Sequence, residues 1–214
     1  LYDDLKEQEG DLIVAAQYET ADHLAFLMRH SSRFICVPIL SERYTQLGLT
    51  LQTAHPTDPS GCRPCVTVDA KESGTGWGAR DRSKTIAALV SDSVSVYRPS
   101  SQLKIPGHTT PLLAYDGGLL ERKGHTEGSI DLLRIAGLRP IAVIAELIDE
   151  RTQEALQGND VYLFACDHHL PLVTMSDLTT YISSHQGPAP FKNASHRLAT
   201  CNPPPSSSSA ALET

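Results

Sequence analysis

Gly124-His125-Thr126-Glu127, preceded by Arg122 and Lys123, brings an imidazole, a hydroxyl, a carboxylate and two cations into one short stretch. A helical run follows. Ile130, Leu133 and Leu138 are spaced for its buried side, with Leu132 and Ile135 flanking them and Gly137 ending it. Thr126 is expected to cap this helix, which should begin near Glu127. The free N–H groups of such a first turn, with Arg122 and Lys123 alongside, make a seat for phosphate. An imidazole at the same place can reach a metal that touches a substrate's oxygens. Far upstream, Glu7-Gln8-Glu9-Gly10-Asp11 offers carboxylates for the other half of such a metal site. Each segment alone has a plainer explanation: a helix entry with a solvated His, and a solvated acidic turn.

The whole chain bounds what these residues can serve. Its 214 residues suit one domain with a real core. A formal charge of −7 disfavours a nucleic-acid surface, because no dense basic stripe is present to meet phosphates. No run has the length of a transmembrane helix. The first twenty residues are rich in Asp and Glu and lack an apolar signal core, so a cytoplasmic protein without membrane partners is expected. Five cysteines at irregular spacing do not form a disulfide framework. The pair Cys62 and Cys65 has CxxC spacing but no second pair at zinc spacing, and packed thiols are the favoured reading.

The elements that must position these groups follow from pattern. Leu12 to Ala16 and Phe34 to Val37 read as short apolar strands, the second halted by Pro38. Thr20 should cap a helix carrying Leu24, Leu27 and Met28, and Ser41 to Leu47 should be a helix closed by Gly48. Thr50 to Pro64 reads as loop, Val66 to Asp69 as strand, Gly74 to Gly78 as a glycine turn, and Asp81 to Leu89 as helix. The Pro-containing stretch Ser91 to His108 reads as a further loop. Strands are expected at Pro111 to Ala114, Ile141 to Leu147 and Leu172 to Thr174. Helices are expected from Val161 to His169 and, capped by Ser176, up to Ser183. Residues 1–185 should form one mixed α+β domain, and the Pro- and Ser-rich residues 186–214 a disordered tail.

Five segments in order now carry a resemblance: Glu7-x-Glu9-Gly10-Asp11-Leu12, Ile35-Cys36-Val37, Thr75-Gly76-x-x-Ala79-x-Asp81-Arg82, Pro106-Gly107-His108 and Gly124-His125-Thr126-Glu127. Leu138-Arg139-Pro140, Glu146 and Leu170 to Thr174 extend it. The set resembles the 3,4-dihydroxy-2-butanone-4-phosphate synthase family over about Asp3 to Tyr181. The resemblance implies an α+β homodimer with active sites near the subunit boundary. It further implies conversion of D-ribulose 5-phosphate to 3,4-dihydroxy-2-butanone 4-phosphate and formate, using Mg²⁺ with Mn²⁺ as a substitute. Carried over by position, Glu7 and His125 match metal ligands. Lys6, Glu7, Asp11 and the segment Arg122, Lys123, Gly124, His125 and Thr126 match substrate-binding positions, and His108 and Glu146 match residues essential for catalysis. Glu146 also stands out by itself, as a carboxylate that interrupts the apolar run from Ile141 to Leu147 and so points to function or a strand end.

Several positions depart from the family's usual pattern. Lys6 stands for Arg, exchanging a flat fork of donors for a point charge. Trp77-Gly78 stands for Ile-Ser, Gly61-Cys62-Arg63-Pro64 for Gly-Thr-Ala-Phe, Ile105 for Arg and Ala145 for Cys. Three readings are therefore carried forward: a divergent synthase, a paralogue using the same groups on another hydroxylated substrate, and a scaffold without turnover.

Overall fold

The computed structural model describes residues 1–92 and 102–185. The middle of the expected loop from Ser91 to His108 and the expected tail at 186–214 lie outside the described residues. In chain order the elements are β1 (Asp11–Ala15), α1 (Ala21–His30), β2 (Cys36–Ile39), α2 (Ser41–Leu47), β3 (Val68–Ala70), α3 (Ala79–Val90), β4 (Leu103–Leu113), α4 (His125–Ile135), β5 (Ala142–Glu146), α5 (Asn159–Asp167) and α6 (Met175–Ser184). The sheet runs β1-β5-β2-β4-β3. Only the β2–β4 pairing is parallel, so this is a mixed sheet of the α+β kind expected.

Alternation along the strands sends side chains to two cores. On one face Val37, Ile39, Val143 and Ala145 pack under Leu24 and Leu27 of α1, Ile86 and Leu89 of α3 and Val161 of α5. On the other, Cys36, Leu112, Ala142 and Ile144 pack under Leu133 of α4. The helices obey the expected boundary chemistry where the cap is local. Thr20 accepts from the His23 N–H at 3.2 Å, and Gly48 closes α2 in the left-handed region at φ 60°.

Four expectations need correction. Pro38 does not halt β2 but lies inside it. The parallel bonds to β4 are made by its neighbours Ile35 and Ile39, and the pairing with β5 is confined to Cys36, so the missing N–H removes no ladder bond. Thr174, not Ser176, caps α6 by accepting from the Asp177 N–H. Leu172 to Thr174 is not a strand, because only Thr174 bridges, to Tyr2.

The largest difference concerns Leu103 to His108, read as loop and found as the start of the long strand β4. Its register against β3 jumps, with Val68 opposite Thr109 but Asp69 opposite Lys104. Residues 105–108 therefore bulge out of the ladder opposite a single step of β3. A bulge tolerates the Pro-Gly that pattern reading takes for a loop, and it re-aims the side chain at its end, His108.

Candidate active site

The acidic loop is built around one buried carboxylate. Asp3 accepts from the N–H groups of Leu5, Lys6 and Glu7 at 2.9, 3.0 and 3.3 Å. That satisfies the donors of the turn and fixes where Glu7 leaves the backbone. β1 then pairs antiparallel with β5 so that Asp11 lies opposite Glu146. Directly opposed residues share a sheet face, and like charges there repel unless a cation or proton intervenes.

From the other side α4 arrives with Gly124, not Thr126, at its N-cap, and His125 opens the helix. His125 Nδ1 lies 3.9 Å from Glu7 Oε2. Octahedral donors about 2.1 Å from a shared Mg²⁺ lie about 3.0 Å apart when adjacent and about 4.2 Å when opposite, so the pair could share one ion after a small side-chain adjustment. The other ring nitrogen, Nε2, is buried with no hydrogen-bond partner, a state that costs free energy unless a further group completes it. Among the described residues no three His, Cys, Asp or Glu side chains converge on one point. A two-donor site is nonetheless ordinary for Mg²⁺, which keeps several waters.

Electrostatics point the same way. Burial first, then a hydrogen bond that the protonated Glu146 donates to Glu9, and the charges of Asp11, Glu9 and Glu7, push the Glu146 carboxyl up to about 7. Burial likewise raises Asp11, although the nearby His125 works against it. A carboxyl titrating near neutrality can both give and take a proton. Glu9 is the partner that sequence reading left out of the site. Its signal was present, as the middle acid of an alternating Glu-x-Glu-x-Asp run entering a strand.

These groups line a cavity of about 210 Å³ that includes Glu7, Asp11, Arg122, Gly124, His125, Thr126 and Glu146. Arg122 is held rigidly at its rim. Its Nη1 donates to Glu127 Oε2 at 2.5 Å and its Nε to the Ser60 carbonyl at 2.9 Å. Glu127, read from sequence as a helix-entry acid, is fully buried and also accepts from the Tyr115 N–H. Lys6 and Lys123 line a neighbouring cavity of about 360 Å³ instead, with Asp3 and Met175. The structure thus brings Glu7, Asp11, Arg122, Gly124, His125, Thr126 and Glu146 together and sets the two lysines beside them.

His108 lies elsewhere. It lines a larger cleft of about 720 Å³ with Trp77, Arg82, Arg29 and Arg33, and the two cavities share Ser32 and Phe34 as rim. Trp77 leans on the His108 ring, 4.9 Å between centroids, and is 65 % exposed. It does not line the Glu7–His125 cavity. Three cysteines are held as thiols: burial raises Cys36 and Cys62 and pushes Cys65 up to about 11.

A mixed-sheet α+β domain carrying a carboxylate–imidazole pair beside a carboxyl that titrates near neutrality is built for metal-assisted acid–base chemistry. The chain belongs to the 3,4-dihydroxy-2-butanone 4-phosphate synthase family, whose model matches residues 1–181. The family's enzymes are lyases of riboflavin biosynthesis. The chain is 42 % identical over 186 residues to the riboflavin biosynthesis protein RibBA of Mycobacteroides abscessus, covering 86 % of this chain and 44 % of that protein. It is 39 % identical to RibBA of Nocardia farcinica over the same shares. The chain thus spans less than half the length of these curated relatives. A crystal structure of 3,4-dihydroxy-2-butanone 4-phosphate synthase in complex with two magnesium ions superposes with a TM-score of 0.81 at 35 % identity, covering 88 % of this chain and 91 % of that one. The synthase of Candida albicans gives 0.74 at 35 % identity, covering 85 % and 88 %.

Proposed function

We propose that this chain converts D-ribulose 5-phosphate to 3,4-dihydroxy-2-butanone 4-phosphate and formate with Mg²⁺, a step towards riboflavin. The observation that carries the reading is the Glu7–His125 pair, with Nδ1 of the ring 3.9 Å from the carboxylate. Glu7 and His125 would hold the divalent ion, which when bound would supply positive charge to stabilise negative charge developing on substrate oxygens. The reaction needs enolisation, loss of water, a carbon shift and release of formate. Glu146, with Glu9 and Asp11 beside it, moves protons between carbon and oxygen. The α4 N-terminus at Gly124 and Thr126 receives the phosphate, together with the Nη2 edge of Arg122 that Glu127 leaves free. Lys6 and Lys123 add positive charge from the adjoining cavity. His108 is the second proton-transfer residue.

A homodimer suits this assignment. His108 and Glu146 line separate cavities within the chain, and the His108 cleft carries Arg29, Arg33 and Arg82 while the other cavity is acidic. A second copy laid across the shared rim would match those charges and bring both groups to one substrate. Mixing inactive His108→Ala and His125→Ala protein would then restore part of the activity.

The direct test is incubation with D-ribulose 5-phosphate and Mg²⁺, reading formate. Formate that vanishes with EDTA and in His125→Ala supports the synthase. Trp77 on the His108 ring favours, as second reading, a paralogue acting on another hydroxylated substrate. Saturable Mg²⁺ binding without formate would select that reading. Absence of both metal and phosphate binding would leave a scaffold.

A further inference from the structure

Asp69 is a carboxylate with 3 % exposure in a short apolar strand, and the reading above gives it no part. Burying a charge there is costly unless it is fully bonded. Its bonds go to one residue. Oδ2 meets His108 Nδ1 at 2.7 Å, and Oδ1 accepts the His108 backbone N–H at 3.0 Å. The β4 bulge at 105–108 makes this possible by lifting His108 out of the ladder onto Asp69. Arg82, itself buried, donates to the His108 carbonyl at 2.8 Å and the Trp77 carbonyl at 3.2 Å. Asp81 binds the N–H groups of Gly74 and Gly76 and so shapes the glycine turn over the pair. Gly76 sits there at φ 81°, where any Cβ would overlap the Asp69 carboxylate and His108 Nδ1. Three elements are thus spent on holding one imidazole.

We propose that Asp69 is the positioning residue of His108, holding the imidazole proton on Nδ1 so that Nε2 faces the cleft as the working atom. The proposal rests on the reading of His108 as a proton-transfer group. An ionised carboxylate accepts only, so the ring nitrogen against it must carry the proton. The same two-point grip predicts what an amide would do. In Asp69→Asn the backbone N–H of His108 keeps the amide oxygen on its side and leaves the NH₂ facing Nδ1. That NH₂ donates, so the ring must move its proton to Nε2 and the cleft meets a donor in place of an acceptor. Reversing a tautomer this way costs turnover and leaves substrate binding nearly intact.

The test pairs a spectroscopic readout with kinetics. Long-range ¹⁵N–¹H correlation spectra of [¹⁵N]histidine-labelled protein, with His108 assigned by its loss in His108→Gln, should show the Nδ1–H form in the unmutated protein. Asp69→Asn should show the Nε2–H form. Its kcat for formate release should fall on the order of 10²-fold with KM changed by less than about threefold. Placed on a His108→Ala background, Asp69→Asn should cost no further activity, because its effect passes through the ring. An Nε2–H ring in the unmutated protein overturns the proposal whether or not the variant folds. So does unchanged kcat in Asp69→Asn, or an additive loss in the double variant. Wild-type turnover in His108→Ala with an Nδ1–H ring would instead overturn the catalytic reading of His108, which separates the two failures.

Discussion

The two neighbouring cavities handle polar groups in opposite ways. Around His108 the charged groups are paired: Asp69 with ring and backbone, Arg82 with two carbonyls, Asp81 with two N–H groups. Around His125 the account does not close. Nε2 has no partner, Asp11 opposes Glu146 across the strands, and burial holds Glu146 near 7. A protein interior leaves such debts only where something else settles them. The difference teaches which cavity is left incomplete by the chain's own groups and which is assembled in advance.

The sharpest way to break that contrast is His125→Ala. Removing a donor that acts on developing charge should lower formate release on the order of 10²–10³-fold. The same change should weaken Mg²⁺ binding in calorimetry, while thermal stability without metal stays level or rises, because an unsatisfied buried nitrogen has gone. A clear loss of metal-free stability would show that the ring was satisfied after all. Next comes Glu127→Ala at the rim. It leaves the Arg122 guanidinium without its buried partner, and breaking such a pair costs about 3–5 kcal/mol, read by urea unfolding. On the preassembled side, Gly76→Ala forces a left-handed backbone and an overlap with Asp69 and His108. A loss of about 1–3 kcal/mol is expected, together with reduced kcat. A neutral Gly76→Ala would mean that the cradle is looser than its hydrogen bonds imply.

The contrast also explains what was legible beforehand. Glu7, His125 and Glu146 stood out because each breaks a local pattern: an acidic run before a strand, a His at a helix entry, a carboxylate interrupting an apolar strand. The apolar spacings of α1 and α4 and the glycine stops at Gly48 and Gly137 were equally local. The His108 cradle was not local. Asp69 and His108 are 39 positions apart, and only the bulge brings them together. The Pro-Gly inside the bulge reads as loop in any short window. Asp69 did carry a usable signal, since it ends the run Val66-Thr67-Val68 much as Glu146 ends its own strand. The argument that singled out one applied to the other. The burial of Glu127 was hidden for the converse reason. Acids at helix starts are usually solvated, and its burial depends on Arg122 folding back over it.

The smallest predicted effect concerns pH and applies to the metal-free protein. A carboxyl raised from 4.5 to about 7 binds its proton more tightly in the folded chain than in the unfolded one. Its stabilising contribution is therefore complete below pH 4.5 and is lost as pH rises through 7, the reverse of a salt-bridged carboxylate. Asp11, also raised, adds to the same slope. The depressed carboxyls Asp81, Asp92 and Asp149 act below their ordinary 3.8 and leave this window untouched. Because Glu146 is half exposed, solvent screening reduces the effect to about 1 kcal/mol. Urea unfolding of the EDTA-treated protein should show stability falling from pH 5 to pH 7.5, and Glu146→Gln should flatten the curve. Mg²⁺ should reverse the slope, since the ion binds the ionised cluster and stabilises the fold more as protons leave. A slope that persists in Glu146→Gln and ignores Mg²⁺ would move the unpaid charge away from this cavity, and the contrast between the two cavities would lose its electrostatic half.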